Sequence, residues 1–287
     1  MIKIKSFYIQ EADKPNIIKE LFCFLNIENN KIILPTNGKY ITEKEAQKLV
    51  LKIIKKMKKN NTKYIVLSKN LKNNQMLLNK IREYNVNLFD GHWLWNYMIY
   101  ETVEYVEKKT NKKMEEIELA LMINTPTKEI IENIKIFAKE FKVIKIITPN
   151  IKIFNKLEEK IYNDFGIMIH VTNNMKKSLV KSDIIVNFDF TKNEINKYNL
   201  FENAIIINIK GDVKIDKKRF NGININDYEI KSKRAEEIFS IEDLKKFYLK
   251  DLFEAEIYRK DFFENIKKDI TKGGFEIKEL YRVNGIL

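Results

Sequence analysis

Two pairs of residues stand where proton chemistry is commonly done. Ser68-Lys69 follows the apolar run Tyr64-Ile65-Val66-Leu67, and Asp90-Gly91-His92 follows Val86-Asn87-Leu88-Phe89. An amine and a carboxylate at the ends of neighbouring strands could exchange a proton with a bound substrate. Lys69 and Asp90 are therefore candidate catalytic residues. A second set consists of polar side chains that each close an apolar run: Asn124, Thr125 and Thr127, then Thr148 and Asn150, Thr172 and Asn173, Asp189, and Lys210 with Asp212. Residues of these types cap helices and solvate loops. At the carboxyl ends of parallel strands they also line the crevice in which ligands bind, which makes them the candidate cofactor-binding set.

Other chemistries find little support. Two histidines and one cysteine, widely separated, make no transition-metal constellation. There is no glycine-lysine phosphate loop and no nucleophile elbow. His92 reads as a helix-start residue under Trp93, and His170 as a core histidine inside an apolar strand. Cys23, within Leu21-Phe22-Cys23-Phe24-Leu25, reads as a buried, inert thiol suited to a reducing, cytoplasmic compartment. Met1-Ile2-Lys3-Ile4-Lys5 alternates like a strand and lacks the apolar core of a signal peptide. No run approaches the ~20 apolar residues that span a bilayer, so no membrane association is expected.

The net charge of +13 raises the question of a polyanion partner. Of 53 basic residues only Arg82, Arg219, Arg234, Arg259 and Arg282 are arginines, and the lysines are scattered among abundant Asn and Ile, a composition that adenine-rich codons produce by themselves. Arginine is the usual residue for bidentate reading of nucleic acid. The charge therefore leaves nucleic-acid binding open without favouring it.

The elements that must position these residues alternate between strand and helix. Ile2–Ile9 alternates as a strand, a helix is expected from about Pro15 to Leu25, and Lys31–Leu34 is a short strand ending at Pro35-Thr36-Asn37-Gly38. Thr42 and Glu45 form a capping box. It opens a helix whose stripe is Ala46, Leu49, Val50, Ile53, Ile54 and Met57. Strands follow at Tyr64–Leu67 and Val86–Phe89, around a helix over about Asn74–Tyr84. His92 to about Lys109, with Trp93 and Trp95, is apolar on nearly every face and reads as a buried helix linking two domains.

From Ile117 the pattern changes. Leu119–Ile123, Val143–Ile147, Ile167–Val171, Ile184–Phe188 and Ala204–Ile209 are near-continuous apolar runs, which mark strands buried on both faces of a parallel sheet. Amphipathic helices separate the first three, with stripes through Ile130, Ile134, Phe137 and Phe141 and through Ile151, Phe154, Leu157 and Ile161. A shorter helix is expected over Asn174–Lys181. A polar segment with an Asn221-Gly222 turn then runs to Ile230, and one long helix over about Ile241–Ile270 is striped by Leu244, Phe247, Leu252, Ala255, Tyr258, Phe262 and Ile266.

The step Lys181-Ser182-Asp183-Ile184-Ile185-Val186-Asn187, followed by Glu202–Gly211, resembles the nucleotide domain of NAD(P)-dependent Rossmann enzymes over about residues 115 to 215. A preceding smaller α/β domain and a C-terminal helix resemble the layout of the shikimate dehydrogenase and glutamyl-tRNA reductase type. The resemblance implies an α/β fold: an N-terminal α/β domain at 1–110 with its linking helix, a Rossmann-like doubly wound parallel sheet at 111–230, and a helical segment at 231–287 packing back. It implies NAD or NADP as cofactor and the Lys69–Asp90 pairing as the catalytic one.

The residues depart from that pattern at two places. No glycine occurs between Gly91 and Gly166, so the turn Asn124-Thr125-Pro126-Thr127 lacks the close backbone approach that a pyrophosphate needs. The acid expected for the ribose is replaced by Thr148-Pro149-Asn150. These departures favour a non-catalytic ligand sensor or scaffold, taking a small molecule or nucleotide. An atypical NAD(P)-dependent oxidoreductase acting in an interdomain cleft, and a nucleic-acid-binding protein, stay open beside it.

Overall fold

The computed structural model describes residues 6–13, 25–36, 41–110, 113–211, 213–216, 220–258, 262–282 and 285–287. The expectations for Met1–Lys5, for the helix through residues 15–24 with Cys23, for Asn37-Gly38 and for Asp212 lie outside the described residues. The fold class is α/β. The chain forms two compact units: Met1–Trp93 with Lys233–Lys260, and Leu94–Ser232 with Asp261–Leu287.

In the first unit, strands β1 (Ser6–Glu11), β2 (Asn26–Glu28), β3 (Lys31–Leu34), β4 (Tyr64–Leu67) and β5 (Asn87–Phe89) form one sheet in the order β2-β3-β1-β4-β5. All neighbours are parallel except the β2–β3 pair. Side chains alternate between its two faces. Phe7, Ile9, Ile65 and Leu67 meet helix α1 (Glu43–Lys59), whose buried stripe is Ala46, Leu49, Val50, Ile53 and Met57. The capping box holds as expected: the Thr42 hydroxyl accepts from Glu45 N–H while the Glu45 carboxylate accepts from Thr42 N–H. Helices α2 (Lys69–Lys72) and α3 (Gln75–Glu83) follow β4, each capped by the side chain before it, Ser68 and Asn74. On the other face Val66 and Phe89 pack against Phe247, Leu252 and Ala255, with Tyr8, Tyr64 and Tyr258 at the margin.

In the second unit, strands β6 (Glu118–Met122), β7 (Val143–Ile147), β8 (Ile169–Thr172), β9 (Ile184–Asn187) and β10 (Ile205–Asn208) fall in the five apolar runs and are parallel. A sixth parallel strand, β11 (Ile223–Lys231), joins β10. The sheet order is β13-β12-β11-β10-β9-β6-β7-β8, where β12 (Glu276–Arg282) and β13 (Gly285–Ile286) are antiparallel additions. Counted from β6, the six parallel strands run 3-2-1-4-5-6, the order of doubly wound dinucleotide folds.

Several expectations are corrected. Helix α4 (His92–Trp95) ends before helix α5 (Ile99–Thr110), so the tryptophan segment is not one helix. The first unit ends at Trp93 and the second begins at Leu94, within this segment. Trp95 is fully buried in the second unit, stacked on Tyr228 at 4.7 Å, with its Nε1 donating to Thr102 Oγ1 at 3.0 Å. Residues 174–181 form turns, not a helix. The Asn174 carboxamide accepts from Lys176 and Lys177 N–H, and Leu179 then bridges to Leu200. The segment before Ile230 reads as polar but is strand β11, because its asparagine amides are bonded within the sheet. The long C-terminal helix is three: α10 (Ile241–Lys246), α11 (Leu249–Ile257) and α12 (Phe263–Lys272), following a short helix α9 (Ala235–Ile238). Phe247, Tyr248 and Phe262 are extended at the breaks. Phe247 is buried in the first unit's core whereas Phe262 is exposed, and only α12 belongs to the second unit with β12 and β13.

Among the described residues no helix is long and apolar enough to cross a membrane. His170 is exposed on β8, not a core residue, because β8 closes the edge of the sheet.

Candidate functional site

In a doubly wound sheet the ligand crevice opens where strand order reverses, at the carboxyl ends of the strands. Here that point lies between β6 and β9. The turn after β6 supplies two backbone donors, and Asp189, two residues beyond β9, supplies a carboxylate. Asn124 N–H donates to Asp189 Oδ1 at 2.6 Å, and Thr125 N–H donates to Asp189 Oδ2 at 2.8 Å. Asn124 Nδ2 donates to Glu194 Oε1 at 3.3 Å, and Asn150 Nδ2 donates to the Asn124 carbonyl at 2.7 Å. Glu194 belongs to a second capping box with Thr191 on helix α8 (Lys192–Ile195); that backbone bond, followed by burial's opposing push, leaves its carboxyl below the ordinary value.

Asn124, Thr125, Asn150 and Asp189 are thus brought together. The remaining members of the set serve locally. Thr127 caps helix α6 (Lys128–Glu140), its hydroxyl accepting from Ile130 N–H. Buried Thr148 accepts from Asn150 N–H, the residue preceding helix α7 (Ile151–Phe165), and Thr172 accepts from Asn174 N–H. Asn173 and Lys210 are exposed loop residues.

Beside this point runs a ladder that the sequence reading missed. Asn187 and Asn208 are paired in register at the ends of β9 and β10 and are buried. Asn187 Nδ2 donates to Asn208 Oδ1 at 3.0 Å. Asn208 Nδ2 donates to Asn224 Oδ1 at 2.7 Å and Asn226 Oδ1 at 2.8 Å on β11. Asn187 also closes the turn before Asp189, accepting from Phe190 N–H at 2.9 Å and donating to the Phe190 carbonyl. Three isoleucine-rich strands that each carry asparagine at the same level were the available signal: Val186-Asn187, Ile207-Asn208 and Ile225-Asn226.

In the first unit the reversal lies at β1, flanked by β3 and β4. Glu11, the last residue of β1, accepts from the Ser68 hydroxyl and from Asn70 Nδ2. Lys69 and Asp90 are engaged with different partners. Lys69 Nζ donates to the Leu244 and Lys245 carbonyls at 3.1 and 3.2 Å, closing the end of α10. The lysine that reaches the Asp90 neighbourhood is Lys72, one helical turn on, whose Nζ lies 2.5 Å from Asp251 Oδ2. Asp90 Oδ1 lies 2.9 Å from His92 Nδ1 and accepts from His92 N–H at 3.1 Å.

Helix α11 presents Lys250, Asp251 and Glu254 to this place, all three buried. Glu254 accepts from Gly91 N–H. Gly91 has φ +88°, and a Cβ there would stand 2.7 Å from Lys250 Cδ, so this turn requires glycine. Burial pushes the Glu254 carboxyl up to about 8, and the like charges of Asp90 and Asp251 add to it. Burial also raises Asp251, against the pull of Lys72 and Lys250. Burial works to raise Asp90 too, but the His92 ring and Lys72 prevail and hold it at about 2. No cluster of His, Cys, Asp or Glu among the described residues is arranged to hold a metal ion.

The two sheets and their reversals define the class: an α/β protein whose second unit has Rossmann strand order. No family model matches the sequence, and no curated protein matches it. Among solved structures, L-tryptophan dehydrogenase from Nostoc punctiforme aligns over 93% of this chain and 78% of its own, at 8% identity and a TM-score of 0.36. Aspartate transcarbamoylase from Trypanosoma cruzi aligns over 72% of each chain at 10% identity and 0.31. Ornithine carbamoyltransferase from Campylobacter jejuni aligns over 72% of this chain and 76% of its own at 13% identity and 0.27. These scores reflect general α/β build and carry nothing about chemistry.

Proposed function

We propose that this protein is a non-catalytic ligand sensor or scaffold, descended from the dinucleotide-binding layout but no longer taking a dinucleotide at the switch point. The observation that carries this reading is the Asp189 carboxylate on the Asn124 and Thr125 N–H groups. In a dinucleotide fold, donors at this turn face the pyrophosphate. Here an internal anion has already satisfied them, and a phosphate brought to the same place meets a like charge. The missing glycines act in the same direction, because the side chains of Asn124 and Thr125 stand where the backbone would have to approach. The residues do not fit the pyrophosphate of NAD or NADP. What lines the point instead is Asn124, Asn150 and Glu194, a set suited to hydrogen bonding with a small neutral or cationic ligand.

The test is thermal unfolding of the full chain with NADH and NADPH at concentrations that would saturate a dehydrogenase. Specific binding stabilises the folded state by mass action, so both titrations are expected to be flat. A dose-dependent rise in Tm with either, or either dinucleotide copurifying in stoichiometric amount, overturns the reading.

A further inference from the structure

The buried group in the first unit has a charge balance that depends on one proton. The carboxylates are Asp90 and the α11 residues Asp251 and Glu254. The cations facing them are Lys72 from α2 and Lys250 from α11, with His92 against Asp90 from the loop after β5. Asp90 lies against the His92 ring and Asp251 against Lys72. Among the described residues no ion pair reaches Glu254, and a charge there, buried without a cation of its own, is costly. Tyr258, which caps the end of α11, is bonded to Tyr64 at 2.8 Å and adds no positive charge, nor does Glu256 on α11.

Glu254 is also the side chain that holds the loop. Its carboxyl accepts from Gly91 N–H, in a turn where Lys250 packs against the glycine Cα. Two residues beyond Gly91 the chain leaves the first unit at Trp93, and three residues beyond α11 it leaves again at Lys260. The bond thus joins the two segments through which the chain departs from this unit.

We propose that the Glu254–Gly91 contact is a pH-sensitive latch, closed while Glu254 carries its proton and loosened when Glu254 ionises beside Asp90 and Asp251. The Gly91 N–H bond by itself favours the ionised form, but burial and the like charges of Asp90 and Asp251 outweigh it, and the sign follows from linkage. A carboxyl raised above its unfolded value stabilises the closed form fully at low pH, and that contribution is lost as pH rises through about 8.

Hydrogen–deuterium exchange on the full chain tests it, with rates corrected for chemical exchange and peptides read across residues 88–95 and 249–258. In the wild type, protection of both peptides is expected to fall by about tenfold or more between about pH 6 and about pH 9.5. Glu254→Gln keeps the carbonyl acceptor without the charge and is expected to show equal protection at both pH values. Asp90→Asn removes one like charge and is expected to shrink the wild-type loss, which keeps the proposal testable if Glu254→Gln does not fold. Wild-type protection that is the same at both pH values, a full wild-type loss in Glu254→Gln, or an undiminished loss in Asp90→Asn overturns it.

Discussion

Both sheets reverse strand order once, and at each reversal a carboxylate bridges the ends of two strands, but the donors differ. In the second unit Asp189 takes two backbone N–H groups, and in the first Glu11 takes a hydroxyl and a side-chain amide. Backbone donors are fixed by the turn and must be satisfied in place; of the two side-chain donors, Asn70 is exposed and can turn to water, while Ser68 is buried. The second unit has therefore settled its switch point with an obligatory internal partner and extended that order through the asparagine ladder. The first unit leaves its unsettled charge one strand further along, at the end of β5, where Asp90, Asp251 and Glu254 crowd together. Within the same chain, one strand-order reversal is bridged by backbone donors and the other by side chains, with crowded carboxyls beside it.

The largest effect is expected where a buried ion would be left alone. Lys72→Met strips the partner from Asp251, which is fully buried, and should cost about 3–5 kcal/mol; the added change Asp251→Asn should restore much of that loss in a denaturant series. Next comes the ladder. Asn208→Ala leaves polar groups on β9 and β11 without partners and should cost about 1–3 kcal/mol.

Asp189→Ala should cost a similar or smaller amount. Its second consequence is the sharper one: with the Asn124 and Thr125 N–H groups freed, pyrophosphate should raise the Tm of the variant and leave the wild type unchanged. A wild-type protein equally stabilised by pyrophosphate would erase the contrast between the two crevices. Glu11→Ala should be mildest, about 1 kcal/mol, because Asn70 turns to solvent and only the buried Ser68 hydroxyl loses its acceptor.

The pH response should also divide by unit. Asp90, held at about 2, contributes stability that is present above its ordinary carboxylate value and lost as pH falls through about 2. Glu254 contributes in the opposite sense, losing its share as pH rises through about 8. Tyrosine fluorescence and exchange should place the alkaline transition in the first unit alone.

Much of the architecture was legible because burial leaves a period in the sequence. The Thr42–Glu45 box and the stripes of α1, α6 and α7 follow the helical repeat, and the five runs from Leu119 to Ile209 announce strands covered on both faces. Periodicity fails where polar residues go inside. Helix α11 buries Lys250, Asp251 and Glu254 along with Leu252, Phe253 and Ala255, so charges that count as a solvent face belong to the interior. The same failure hid β11, whose asparagines look like loop. Asp189 and Asn124 were singled out by their position at strand ends, but their bond to each other depends on β6 and β9 being neighbours, which chain order does not reveal. Lys69 directly follows the strand and its cap residue, whereas the helical turn swings Lys72 toward Asp251.

The way the last segment is shared has a consequence for biosynthesis. When residues 1–232 have emerged from a ribosome, the β5 side of the first sheet still lacks helix α11, and β11 has an open edge waiting for β12. Each unit draws its closing piece from residues 233–286, so vectorial synthesis yields no finished domain early. The nascent chain must keep a row of unpaired strand donors and an aromatic face from self-association until that piece arrives.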